Sequence, residues 1–155
     1  MKLGDVLKKE RERKRLTVED VTRQVGIPVE QYEEMEAGIS PVEVWGPRLA
    51  LAAIALRTPT SRLISETGKS SGANLIEGQC GKFISTHRQR RDLSTEDLAK
   101  KLAITVSEME SIEGGTTPLE TYGRILLSFA ETIDQPIFNL FYPCGLPFDQ
   151  LTDYP

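Results

Sequence analysis

Residues 93–115 read Leu93-Ser94-Thr95-Glu96-Asp97-Leu98-Ala99-Lys100-Lys101-Leu102-Ala103-Ile104-Thr105-Val106-Ser107-Glu108-Met109-Glu110-Ser111-Ile112-Glu113-Gly114-Gly115. Ser94 stands three residues before Asp97, the spacing of an N-cap whose side chain and partner satisfy each other's backbone N–H groups. Leu98 and Leu102 follow at helical spacing, and the pattern breaks at Ala103-Ile104. Thr105 with Glu108 then forms a full capping box, and Met109 and Ile112 give the next apolar face. Gly114-Gly115 closes it. The stretch predicts two short helices of about two turns each, joined by a tight turn.

The same text occurs 77 residues earlier. Leu16, Glu19, Asp20, Ile27, Glu36, Gly38, Pro41, Gly46 and Pro59 fall on Leu93, Glu96, Asp97, Ile104, Glu113, Gly115, Pro118, Gly123 and Pro136. Between Gly4 and Ile64 the shift gives 18 identities in 61 positions without a gap. An internal repeat of this kind means one supersecondary unit used twice. In the first copy Leu3, Val6 and Leu7 share a face. Thr17 and Asp20 cap a second helix that buries Val21 and Val25 and stops at Gly26. A third starts near Pro28 and buries Tyr32 and Met35, and Gly38 closes it. Because Gly46-Pro47 disfavours a preceding turn, a fourth helix is expected from about Pro47 to Leu56. Pro59 opens a last short one with Leu63 and Ile64. In the second copy Leu126, Phe129, Ala130 and Ile133 line the fourth helix, and Trp45 and Tyr122 plug equivalent core edges.

No run alternates in the manner of a half-buried strand, so the expected class is all-α. The expected organisation is a first unit at 1–66, a Gly/Ser linker at 67–74, a second unit at 75–142 and a Pro/aromatic tail at 143–155. Three prolines in the last 14 residues deny the tail a long helix. Phe148, Leu151 and Tyr154 give it two uses, cover for an apolar groove of its own chain or a dock for a partner.

Composition narrows the chemistry. The chain is 39% apolar and 27% charged, with 19 basic and 23 acidic side chains and a net charge of −4. That is ordinary globular composition, and it excludes a strongly basic nucleic-acid clamp over the whole chain. No uncharged apolar run approaches ~18 residues, so no membrane span is expected, and the absence of a signal-like core points to the cytoplasm. Cys80 and Cys144 form no CxxC, and the single histidine, His87, has no cysteine at metal-ligand spacing. Reduced structural thiols, no metal and no cofactor are expected. Gly68-Lys69-Ser70 lacks the glycine that a phosphate loop needs at position 63, which is Leu63. No nucleophile is tied to a base, so no enzyme is expected.

A capped helix, a turn, a second helix and Glu-x-Gly-x-x-Pro resembles the lambda repressor/Cro-like (XRE) helix-turn-helix family. The carrying residues are Leu16 to Val21, Gly26-Ile27, Met35 to Gly38 and Pro41, and again Leu93 to Ala99, Ala103-Ile104, Ile112 to Gly115 and Pro118. The resemblance implies two tandem five-helix units. It also implies structural ion pairs Arg11–Glu36 and Arg88–Glu113. Carried over position by position, it implies duplex DNA as partner. Base edges would meet Val29, Glu30, Gln31 and Glu34 in the first copy and Val106, Ser107, Glu108 and Ser111 in the second. Phosphates would meet Thr17, Val18, Ser94 and Thr95, and the loops with Ile39, Ser40, Thr116 and Thr117. The expected activity is transcriptional regulation.

The sequence departs from that pattern in charge. None of these positions holds Arg or Lys, and Glu30, Glu33, Glu34 and Glu36 make the first of the third helices acidic, as Glu108, Glu110 and Glu113 do the second. Carboxylates repel phosphate, although they can accept from cytosine N4. Cations gather instead at the ends of the first helices: Lys8, Lys9, Arg13, Lys14 and Arg15, then Arg90 and Arg91. They read either as a phosphate-contacting patch or as charge favoured at helix C-termini, part-neutralised by Glu10 and Glu12. A second expectation therefore stands beside DNA: a non-catalytic protein-interaction module, antitoxin-like or an adaptor, docking through its acidic third helices or its tail. Packing between the units and a homodimer are further expectations.

Overall fold

The computed structural model describes residues 1–70 and 76–146. Among these the backbone is all-helical. The α-helices are α1 (Leu3–Arg13), α2 (Val18–Val25), α3 (Val29–Glu36), α4 (Val42–Leu56), α5 (Gln79–Arg90), α6 (Thr95–Leu102), α7 (Val106–Glu113) and α8 (Leu119–Thr132). Short 3-10 turns at Thr60–Leu63, Ile137–Leu140 and Tyr142–Cys144 complete it. No helix among the described residues is long and apolar enough to cross a membrane. Linker residues 71–74 and the tail residues Phe148, Leu151 and Tyr154 lie outside the described residues.

Local chemistry accounts for the helix ends. Thr17 Oγ1 accepts from the Asp20 N–H at 3.0 Å while the Thr17 N–H donates to Asp20 Oδ2 at 2.9 Å. Ser94 and Asp97 repeat this at 3.0 Å in both directions. Thr105 and Glu108 cap α7 in the same way, whereas Pro28 starts α3 with no side-chain cap. Left-handed backbone recurs at the repeat interval: Arg15 and Asp92, Gly26 and Ala103, Gly38 and Gly115, Arg57 and Asp134, Gly68 and Gly145. Five chain reversals are thus duplicated even where only one copy, or neither, has glycine.

One boundary differs from expectation. α4 begins at Val42, not near Pro47, and carries Pro47 inside it. Pro47 removes one N–H from the ladder, but Gly46 before it has no Cβ to clash with the ring. Tertiary contacts hold the early turns in place. Glu43 accepts from the Leu3 and Gly4 N–H groups at 3.1 and 2.8 Å, so α4 caps α1. Glu120 does the same for α5, accepting from Cys80 and Gly81 at 3.1 and 2.9 Å. Gly4 and Gly81 are required there, since a Cβ would lie 2.2 Å from Met35 O and 2.1 Å from Ile112 O.

The repeats pack reciprocally. Within each, the first and second helices flank the third: α1 and α2 on α3, α5 and α6 on α7. Between them, α4 lies against α8, α2 packs on α8, and α6 packs on α4. The exchange extends to the ends, with α5 against the Thr60–Leu63 turn and α1 against the Ile137–Leu140 turn. Two equivalent glycines lie at this contact: a Cβ at Gly46 would meet Leu3 of its own repeat at 2.5 Å and Leu126 at 3.6 Å, and one at Gly123 would lie 3.9 Å from Leu49. Gly46 on Leu126 and Gly123 on Leu49 are the same contact read from each copy. Tyr32 of α3 stacks on Phe129 of α8 with centroids 6.1 Å apart. The buried side chains therefore form one core, from Leu3 and Met35 through Leu49 and Leu126 to Phe141.

Candidate nucleic-acid interface

The helix pairs α2–α3 and α6–α7 hold most of the positions singled out in the sequence. Each pair is anchored from behind. Arg11 donates to Glu36 from Nε at 2.7 Å and Nη2 at 3.1 Å, and Nη1 donates to Leu16 O at 2.9 Å. Arg88 repeats the set with Glu113 at 2.8–3.1 Å and Leu93 O at 2.9 Å. Both side chains of each pair are almost buried, at 12%/11% and 14%/12% exposure. The Glu36 carboxylate raises the Arg11 pKa further above its ordinary value. Burial, and then Glu36, raises that of Tyr32, whose ring is fully buried beside the pair. These arginines brace the fold and are not free for a ligand.

The outward positions divide between the copies. On α3, Glu30 and Glu34 are exposed, and Val29 and Gln31 are half-buried. On α7, Val106, Ser107 and Ser111 are exposed. Ser111 Oγ donates to Ser107 O at 3.2 Å, and Thr116 Oγ1 donates to Ser111 O at 3.3 Å. Glu108 is already engaged. It accepts at Oε1 from the Thr105 N–H at 3.1 Å and at Oε2 from Arg48 Nη2 at 3.1 Å. The Thr105 N–H chiefly, and then Arg48, holds its carboxyl below the usual range. Arg48 itself lies 4.7 Å over the Trp45 ring. Glu108 thus joins α7 to α4 of the other repeat, a role the sequence reading missed because nothing local points to Arg48. At the equivalent place in the first copy, Gln31 and the Val25-Gly26-Ile27 turn border a cleft against Thr121 and Ile125 of α8.

Thr17 and Ser94 are exposed but committed to their caps, and Val18 and Thr95 are half-buried. Their backbone N–H groups at the starts of α2 and α6 still carry the positive end of a helix dipole. Asp20 and Asp97 share those ends, and the Thr17 and Ser94 N–H groups hold their carboxyls below the usual range.

The basic residues are exposed at the end of α1 and of α5. Lys8, Lys9, Lys14, Arg15 and Arg90 make no ion pair among the described residues. Arg13 pairs with Glu10 at 3.3 Å. Arg91 donates to His87 O at 3.0 Å and Thr58 Oγ1 at 3.1 Å. Cys80 is buried and Cys144 half-buried, and burial raises both thiols. Among the described residues no group of three or more His, Cys, Asp or Glu side chains gathers as a metal site.

Comparison with protein-family models, with curated proteins and with solved structures finds no match.

Proposed function

We propose that the chain is a non-catalytic regulator that binds duplex DNA through two lambda repressor/Cro-like helix-turn-helix units, α1–α4 and α5–α8 with their 3-10 turns. The observation that carries this reading is the repeated placement of an exposed third helix beside the capped start of the second, with a collar of lysines and arginines at the end of the first. Helix N-termini and lysines contact phosphate without reading sequence, and the third helix supplies the base contacts. The α7 face, with Ser107 and Ser111, offers hydroxyls that can donate or accept at base edges. The α3 face offers carboxylates, which suit cytosine N4 and oppose phosphate. The two half-sites therefore differ, and much of the affinity comes from the lysine and arginine collar.

The test is fluorescence anisotropy of a labelled random duplex pool over a salt series. Binding should weaken as salt rises. Changing Lys8, Lys9 and Arg13 to Ala should weaken it further and lower the slope of log K against log salt by about 2.7, at about 0.9 per lost phosphate contact. Absence of binding at low salt refutes the proposal.

One observation favours a second reading, a protein-docking module. Beside the acidic α3, Ile39 and Val44 are 74% and 51% exposed, and their counterparts in the second copy are Thr116 and Thr121. Apolar side chains rimmed by carboxylates suit a basic protein surface better than a phosphate backbone.

A further inference from the structure

A cleft of about 520 Å³ opens where the Thr60–Leu63 turn of the first repeat meets α5 of the second. Arg57, Arg62, Lys82, Arg90 and Arg91 line it, against one carboxylate, Glu66. None of the five cations makes an ion pair among the described residues. In a chain with four more acidic than basic side chains, that concentration of positive charge is local and unbalanced.

The duplication supplies an internal control. The equivalent packing, α1 against the Ile137–Leu140 turn, is present in the same molecule. There, the residues 77 positions away from Arg57, Arg62 and Lys82 are Asp134, Asn139 and Asp5, and Glu10 stands in place of His87. Only Arg90 and Arg91 keep cationic counterparts, Arg13 and Lys14. Because the corresponding packing also forms where carboxylates and an amide stand in place of these three cations, the repeat fold does not itself require them.

One of the arginines is already held in place. Arg91 Nη2 donates to Thr58 Oγ1 at 3.1 Å, and Nη1 donates to His87 O at 3.0 Å. Thr58 is buried and donates in turn to Leu56 O at 3.0 Å. A guanidinium fixed between the two repeats loses little freedom when an anion arrives, and its planar fork matches phosphate oxygens. Phe83 forms another part of the wall. It also borders an adjoining cleft of about 470 Å³ with Ile76, Gln79 and a second carboxylate, Glu77, which shares Lys82 and Glu66 with the first. Cationic and aromatic surface thus lie side by side, in a recess rather than on a flat face.

We propose that this paired cleft binds a compact polyphosphate anion carrying a flat ring, a nucleoside triphosphate in chemical class. The phosphates lie among Arg57, Arg62, Lys82 and Arg91, and the ring lies against Phe83. Since both repeats contribute, the ligand clasps the two copies together and stabilises their arrangement. The cleft shares Arg90 and Arg91 with the collar of the DNA reading, whereas Arg62 and Lys82 play no part in that reading.

The test is calorimetric titration of the full chain at 150 mM salt with ATP, with inorganic tripolyphosphate and with a short DNA duplex, alongside thermal melting. ATP should bind one to one, at least fivefold tighter than tripolyphosphate, and should raise the melting temperature. R62E/K82E should weaken ATP at least tenfold, and R62Q/K82Q should weaken it less. The charge-matched R23E/K101E, far along α2 and α6, should stay within twofold of the parent. Circular dichroism establishes that each variant is folded before titration. No ATP binding, more than one equivalent bound, or an equal loss in R23E/K101E overturns the proposal. Equal affinity for ATP and tripolyphosphate overturns the ring contact. Loss of duplex affinity in R62E/K82E without ATP binding transfers the cleft to nucleic acid.

Discussion

Gly81 packs its α-carbon against the backbone at the end of α7, where a methyl group would stand 2.1 Å from a carbonyl oxygen that cannot swing aside. Gly81→Ala should therefore cost about 2–3 kcal/mol, the upper range for overpacking, as read by urea denaturation. Glu113→Gln, which leaves Arg88 buried with a weakened partner, should cost about 3 kcal/mol; little change would show that water already reaches the pair. His87 gives a pH signature. Burial, and then Arg91, Arg90 and Arg62, holds its pKa below the ordinary 6.5. Between the lowered and the ordinary value the unfolded chain holds more protons than the folded one. Stability should thus be full above about pH 6.5 and fall as pH falls through the folded pKa. Denaturation midpoints at pH 7.5 and 5.5 should differ less in His87→Gln than in the parent. Asp20, Asp97 and Glu108 shift downward from carboxylate values, so they lose stability in a separate, lower pH window.

Element ends follow short-range rules, and they can be tested one cap at a time. Ser94→Ala and Thr17→Ala should each cost about 1 kcal/mol, because each leaves an N3 N–H and its Asp partner without the reciprocal bond. α4 obeys a longer-range rule. Its first turn contains Glu43, whose carboxylate serves α1, and its sixth residue is Pro47. Local preference alone starts this helix at the proline. Packing against α1, α6 and α8 extends it back to Val42, because burial of Val42, Gly46 and Leu49 outweighs one missing ladder bond.

At the scale of the molecule the exchange of contacts matters most. Leu49 and Gly46 of α4 face α8, and Tyr32 of α3 stacks on Phe129. A fragment comprising residues 1–70 would uncover that apolar surface. It should be either unfolded or a homodimer in which two copies of α4 replace the α4–α8 pair, as judged by sedimentation and circular dichroism. The intact chain should unfold in a single transition, with fluorescence of Trp45 and far-ultraviolet signal coincident. A folded, monomeric fragment would show that each repeat can close its own core.

The repeat, most helix bounds and the caps at Thr17, Ser94 and Thr105 are legible in the sequence because they obey rules that act over a few residues or recur at a fixed interval. Ser94 and Asp97 identify a cap at three residues' distance. The pairing of Arg11 with Glu36 is implied only by the resemblance, and the repeat carries it over to Arg88 and Glu113. Tertiary structure alone decided which copy each helix leans on, since α4 carries the same apolar pattern whether it buries its face at home or against α6 and α8. It alone placed Glu108 against Arg48 of the other repeat, and brought Arg57 and Arg62 beside Lys82 and Arg91. Apolar periodicity specifies how much surface a helix must bury; only the packed chain specifies against what.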